Sequence, residues 1–146
     1  MIDKMSYRPE VVLFICLITV TNFYYTFALT EAQMASTAKL IRKMCQPKSK
    51  ATDEQIDNFH KGVFDNDKKM MCYMNCILET MKIIKSGKLD MGAVEQQIPT
   101  LPKKYQESTR KSMDECINKV TGEKCEPAYN FAKCIYLSNP EMYFLP

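Results

Sequence analysis

The chain has 146 residues, 46% of them hydrophobic and 25% charged, with 20 basic against 17 acidic side chains for a net charge of +3. That length suits one domain. So mild and mixed a charge argues against nucleic-acid binding, since no basic run exceeds three residues and none is interleaved with stacking aromatics.

The first element is an apolar run, VVLFICLITV at 11–20, followed by TNFYYTFA. A polar start, a greasy middle and the small-x-small triplet Thr26-Phe27-Ala28 form a secretory leader. Cleavage is expected after Ala28, giving a signal peptide over 1–28 and a mature domain over 29–146. A membrane anchor is the competing reading, since residues 11–29 are long enough to span. Asn22, Thr19, Thr21 and Thr26 interrupt that span, and cysteine parity favours cleavage. The chain has seven cysteines, an awkward number for an oxidising compartment, and loss of Cys16 with the leader leaves six.

Beyond the leader every signal is helical. Thr30-Glu31-Ala32-Gln33 is a capping box opening a helix to about Met44, with Pro47 expected to stop it. Thr52-Asp53-Glu54-Gln55 is a second box, starting a short helix that ends before Gly62. A third helix is expected from about Asp67 to Lys85, stopping at Ser86-Gly87. A fourth spans about Asp90 to Gln97 and is closed by Pro99. A fifth starts near Pro102 and reaches Val120 before Gly122. The sixth runs from Pro127 to about Leu137, ahead of Asn139-Pro140. No alternating run is long enough to suggest a sheet.

Apolar residues fall on faces of these helices. On the third, Met70, Met74, Leu78 and Met81 make one stripe, with Cys72, Cys76 and Ile83 beside it. On the fifth, Tyr105, Thr109, Met113, Cys116, Ile117 and Val120 share a side. Phe131, Cys134, Ile135 and Ser138 do so on the sixth, and Met34, Thr37, Leu40, Ile41 and Met44 on the first.

The stretch MMCYMNCILETM at 70–81 admits two chemistries. Thiol and thioether are soft metal ligands. However, a structural zinc site needs a second close Cys or His pair, and His60 is the lone histidine. Thiols in a secreted chain would be oxidised first, so no metal and no cofactor is expected. The cysteines then read as a disulfide framework: Cys45, Cys72, Cys76, Cys116, Cys125 and Cys134, spaced C-x26-C-x3-C-x39-C-x8-C-x8-C. Six cysteines allow fifteen pairings. One turn of helix separates Cys72 from Cys76 by about 5–6 Å at Cβ, too far for a disulfide, so each should have another partner.

That spacing, behind a leader and in this length class, resembles the insect odorant-binding protein family. MCYMNC, TRKSM and the YFLP ending are most similar to its Lush-type branch. The resemblance covers about Leu29 to Pro146. It implies the pairing Cys45–Cys76, Cys72–Cys125 and Cys116–Cys134. The fold class expected is all-α: a compact six-helix domain, stapled by three disulfides, enclosing an apolar cavity. The implied function is a secreted carrier of small hydrophobic odorants or pheromones through aqueous fluid, such as sensillar lymph, to receptors. The alternative is a secreted interaction module that docks to a receptor or scavenges other small lipids.

Nine of the eleven methionines lie beyond the leader and suit a cavity of variable contents, and a disulfide-stapled domain need not fill its interior. From the helix faces, the ligand-binding candidates are Ile41, Met74, Leu78, Met81, Leu89, Val94, Ile98, Leu101, Met113, Ile117 and Ile135. Thr37, Thr80 and Tyr143 are candidate hydrogen-bonding groups. Relatives in the resembling branch carry small hydroxyl residues along the third helix. Met74, Leu78 and Ile83 stand there in this chain, which favours larger apolar ligands over short alcohols. The tail NPEMYFLP at 139–146 is too greasy to stay exposed. Tyr143, Phe144 and Leu145 are expected to fold back over the mouth. His60 is expected to be a solvated helix-terminal residue away from the wall.

Catalysis is not expected. A phospholipase A2 would need a His-Asp pair and a glycine-rich calcium loop, but Lys61 follows His60 and the four glycines are scattered. Lysines and acids alternate on every helix, which argues against membrane insertion of the mature chain. The partners expected are an apolar volatile or lipidic ligand and an odorant receptor, with the protein a monomer or weak homodimer.

Overall fold

The computed structural model describes residues 28–146, together with Glu10. The expected leader and its cleavage site lie outside the described residues, apart from Ala28. Six α-helices and one short hairpin make up the described part. Helix α1, Glu31–Ser49, opens on the expected capping box: Gln33 N donates to Thr30 Oγ1 at 3.2 Å, and Thr30 N donates to Gln33 Oε1 at 2.8 Å. It does not stop at Met44. The helix passes through Pro47 and ends at Lys50, a left-handed cap with φ +61° whose N–H bonds Gln46 O. An internal proline costs about 3 kcal/mol. Here it falls in the last turn, which is tied down by the Cys45 disulfide and by Gln46 Nε2 donating to Asp53 Oδ1 at 2.9 Å.

Helix α2, Asp53–His60, repeats the capping box with Thr52 and Gln55 and buries Ile56 and Phe59. Helix α3, Lys68–Thr80, is capped by Asp67, which accepts from Lys69 N at 2.7 Å. Its buried residues Met70, Tyr73, Met74, Ile77 and Leu78 follow helical spacing.

The end of α3 departs from expectation, which carried the helix on to Lys85. Lys82 turns left-handed at φ +58°, Ile83 N bonds Leu78 O and Lys82 N bonds Glu79 O, a Schellman stop. Two strands follow, β1 (Ile84–Lys85) and β2 (Lys88–Leu89), paired antiparallel. Ser86 and Gly87 have φ +51° and +74°. Two positive φ values in a two-residue loop are the signature of a type I′ hairpin turn. Ser-Gly therefore reverses a hairpin here, where it was expected to end a helix.

Helix α4, Met91–Gln97, is capped by Asp90 and tightens into a 3-10 turn at Ile98–Thr100. Helix α5, Lys103–Cys116, likewise ends in a 3-10 turn, Ile117–Lys119. Helix α6, Glu126–Ser138, carries Pro127 in its first turn and leads through a 3-10 turn, Pro140–Met142, into the tail.

Helix α3 is the centre, packed on α1 and α6, with α5 against α6. Each of these contacts is fastened covalently. Cys45–Cys76 joins α1 to α3, Cys72–Cys125 joins α3 to the start of α6, and Cys116–Cys134 joins α5 to α6. These are the pairs the resemblance implied, and Cys72 and Cys76 diverge to separate partners. An aromatic cluster of Phe59, Phe64, Tyr129, Tyr136 and Tyr143 fills the space between α2 and α6.

Candidate functional site: an apolar cavity closed by the tail

A cavity of about 600 Å³ lies between the end of α3, helices α4 and α5, and the tail. Thr37 and Ile41 reach it from α1, and Leu78, Thr80, Met81, Lys82 and Ile83 from the end of α3. The α4 region supplies Ala93, Val94, Gln96, Gln97, Ile98, Thr100 and Leu101. Ser108, Thr109, Ser112 and Met113 come from α5, and Phe131, Ile135 and Asn139 from the end of α6. Leu29 closes one side, with its N–H donating to Thr100 O at 2.7 Å. Met142, Tyr143, Phe144 and Leu145 complete the enclosure.

Of the candidates named from the sequence, Ile41, Leu78, Met81, Val94, Ile98, Leu101, Met113, Ile135, Tyr143, Phe144 and Leu145 line this space. Thr37 and Thr80 do as well. Three candidates do not. Met74 is 0% exposed but sits one turn below Leu78, in the packed core of α3. Leu89 packs against the core from β2, because the hairpin, and not a continued helix, sets its direction. Ile117 is 40% exposed, because α5 tightens to 3-10 after Cys116 and turns it to solvent.

Several hydroxyls of the wall are already paired locally. Thr37 Oγ1 donates to Gln33 O, Thr100 Oγ1 to Gln97 O and Ser108 Oγ to Tyr105 O, each within its own helix or turn. Gln97 Nε2 donates to Met81 O at 2.8 Å and ties α4 to the end of α3. The hydroxyls of Tyr143 and of Tyr73, behind it in the core, are enclosed with no protein acceptor. Burial pushes the Tyr73 phenol up to about 12 and raises that of Tyr143 well above its ordinary value, so both stay neutral donors.

The tail is a thin partition. Phe144 and Leu145 line the cavity on one side and a shallow outer groove with Arg42, His60 and Tyr105 on the other. His60 is exposed at the end of α2, but it is not remote from the wall as expected. Its ring lies 5.6 Å from that of Tyr143, edge to face. The withheld solvent and the nearby Arg42 charge lower its pKa.

Among the described residues, no three His, Cys, Asp or Glu side chains gather as a metal site. Nor is any helix there long and apolar enough to cross a membrane. A hollow lined by aliphatic and thioether groups can sequester a ligand by desolvation. The PBP/GOBP family model matches residues 27–138.

The chain belongs to the PBP/GOBP family. It is 34% identical over 120 residues to general odorant-binding protein 72 of Anopheles gambiae, covering 80% of this chain and 99% of that protein. It is 36% identical over 124 residues to general odorant-binding protein 19a of Drosophila melanogaster, covering 81% and 84%. The crystal structure of odorant binding protein 4 from the predator Chrysopa pallens is 85% identical. It covers 81% of this chain and 99% of its own, with a TM-score of 0.80. This PBP/GOBP chain is a small-ligand carrier, with a binding role.

Proposed function

We propose that this protein is secreted after removal of residues 1–28 and carries apolar odorants of about ten to sixteen carbons through aqueous fluid to a receptor. The supporting observation is the cavity of about 600 Å³, within the roughly 300–1,000 Å³ usual for ligand pockets. Each buried methylene contributes about 0.8 kcal/mol. A chain of about twelve methylenes gains roughly 10 kcal/mol gross, enough to offset the 4 kcal/mol or more that association costs. A two-carbon alcohol gains about 1.6 kcal/mol and does not offset it. Tyr143, Phe144 and Leu145 act as the lid, and the apolar walls from Ile41 to Ile135 as the binding surface. Displacement of an apolar fluorescent probe by a homologous series should strengthen with chain length to about twelve carbons or beyond. Ethanol-sized alcohols outcompeting long chains would refute the reading.

A further inference from the structure

Ser112 is 4% exposed, the only aliphatic polar residue so deeply buried among the described residues, and it lines the cavity. Its hydroxyl is the inner end of a chain of hydrogen bonds that leads out of the cavity. Ser112 Oγ donates to Ser138 Oγ at 3.1 Å, and Ser138 Oγ donates to Glu115 Oε2. Lys111 Nζ stands 4.0 Å from the other oxygen of Glu115. The Cys116–Cys134 disulfide braces the arrangement, one turn from Ser112 on α5 and one turn from Ser138 on α6.

The direction of this chain is dictated by its outer end. An ionised carboxylate only accepts, and a serine hydroxyl has one hydrogen to give. Glu115 therefore takes the hydrogen of Ser138, and Ser138 can meet Ser112 only as an acceptor. Ser112 must spend its own hydrogen on Ser138, leaving lone pairs alone to face the cavity. Thr37, Thr100 and Ser108 also spend their hydrogens on carbonyls, but those are neutral local bonds that a hydroxyl can leave by rotating. The bond to Glu115 is charge-assisted, roughly twice as strong as a neutral one, so Ser112 is held in its accepting state. Tyr143, an unpaired donor, satisfies an alcohol or an ether oxygen alike and does not discriminate between them.

We infer that Ser112 is a specificity-determining residue that accepts a hydrogen bond from a ligand hydroxyl, so that the cavity selects long-chain alcohols over ethers of the same size. Ser138 and Glu115 are positioning residues that fix the direction of the Ser112 hydrogen. The inference deepens the carrier reading above and rests on it.

The test compares two isomers, n-dodecanol and undecyl methyl ether, in displacing an apolar fluorescent probe from the delipidated protein. Both offer an acceptor oxygen and the same number of carbons, and only the alcohol has a hydrogen to donate. Wild type should bind the alcohol about fivefold more tightly, the usual worth of one neutral hydrogen bond. Ser112→Ala should bring the ratio to about one, by loss of alcohol affinity with ether affinity kept. Ser138→Ala and Glu115→Gln, at less buried positions, should lower the ratio about twofold or more without touching the ligand. They keep the test decisive if Ser112→Ala does not fold. A wild-type ratio near one, or a ratio unchanged in all three variants, would overturn the inference and leave the carrier reading intact. Failure of either isomer to displace the probe from wild type would instead remove the carrier reading itself.

Discussion

Removing the three disulfides one at a time, each by a Cys→Ala pair, should destabilise the protein in an order set by loop length. The chain-entropy relation ΔS ≈ −2.1 − 1.5R ln n makes the worth of a cross-link grow with the number of residues it closes. The sequence separations are 53 for Cys72–Cys125, 31 for Cys45–Cys76 and 18 for Cys116–Cys134. At 25 °C these give about 4.2, 3.7 and 3.2 kcal/mol respectively. The measurement is urea unfolding of the delipidated protein, because a bound carrier ligand would add its own linkage term to every midpoint. Losses ranked Cys72–Cys125, then Cys45–Cys76, then Cys116–Cys134, across a spread of about 1 kcal/mol, are the expected result. Cys116–Cys134 costing as much as Cys72–Cys125 would refute the entropic account and show that native packing of α5 on α6 carries the bond. Affinity separates from stability in the same variants. Loss of Cys116–Cys134 should weaken ligand binding most, because Ser112, Met113 and Ile135 all lie within one turn of it.

Two further outcomes follow from the tail and from His60. Deleting residues 140–146 removes Met142, Tyr143, Phe144 and Leu145 from the wall. Exposing about three methylenes of a bound chain costs roughly 2.4 kcal/mol, or about fiftyfold in Kd by probe displacement. Unchanged affinity would take the tail out of the binding site. His60 has a lowered pKa in the folded protein, caused first by partial loss of solvent around its otherwise exposed ring and then by Arg42. The unfolded chain, with a histidine near 6.5, then binds the proton more readily. Stability should therefore hold above about pH 6.5 and decline as pH falls from there through the lowered folded value. Since the ring is exposed and screened, the loss should stay under about 1 kcal/mol. Urea midpoints against pH should be flatter for His60→Gln than for wild type, and parallel curves would discard the assignment.

Local signals that act through one or two residues were readable in the chain. Both capping boxes, at Thr30 and Thr52, open helices where the hydroxyl and the following glutamine place them. Pro47 and Ser86-Gly87 misled because each supports two outcomes. A proline in a last turn can be carried when a disulfide and Gln46–Asp53 hold the segment. Ser-Gly can cap a helix or turn a hairpin, and the choice was made upstream by Lys82 going left-handed. A β-branched residue there would have made the stop at Met81 far costlier.

The cavity was half readable, for a reason that lies in what periodicity measures. A hydrophobic stripe identifies the face a helix buries, not whether a neighbour or a hollow lies opposite each position. Met74 and Leu78 share a stripe and are both 0% exposed, yet only Leu78 meets the cavity. The difference is position along the axis, about 6 Å for four residues at 1.5 Å each. The lower turn of α3 is filled between α1 and α6, whereas its end opens beneath α4. Gln96, Gln97, Ser108 and Ser112 escaped for the opposite reason, since polar side chains are mostly discarded when apolar faces are drawn. Thr109 and Phe131 lay on recognised faces and were left out of the wall. Ser112 is the instructive case. It sits next to Met113 and four residues before Cys116, in register with the buried side of α5, and Ser138 holds the matching place after Cys134. A serine pair flanking a cross-linked cysteine pair at that spacing marks a polar contact held inside an apolar seam. Most buried hydroxyls spend their hydrogen on a partner; for Ser112 that partner, Ser138 backed by Glu115, decides what is left for a ligand.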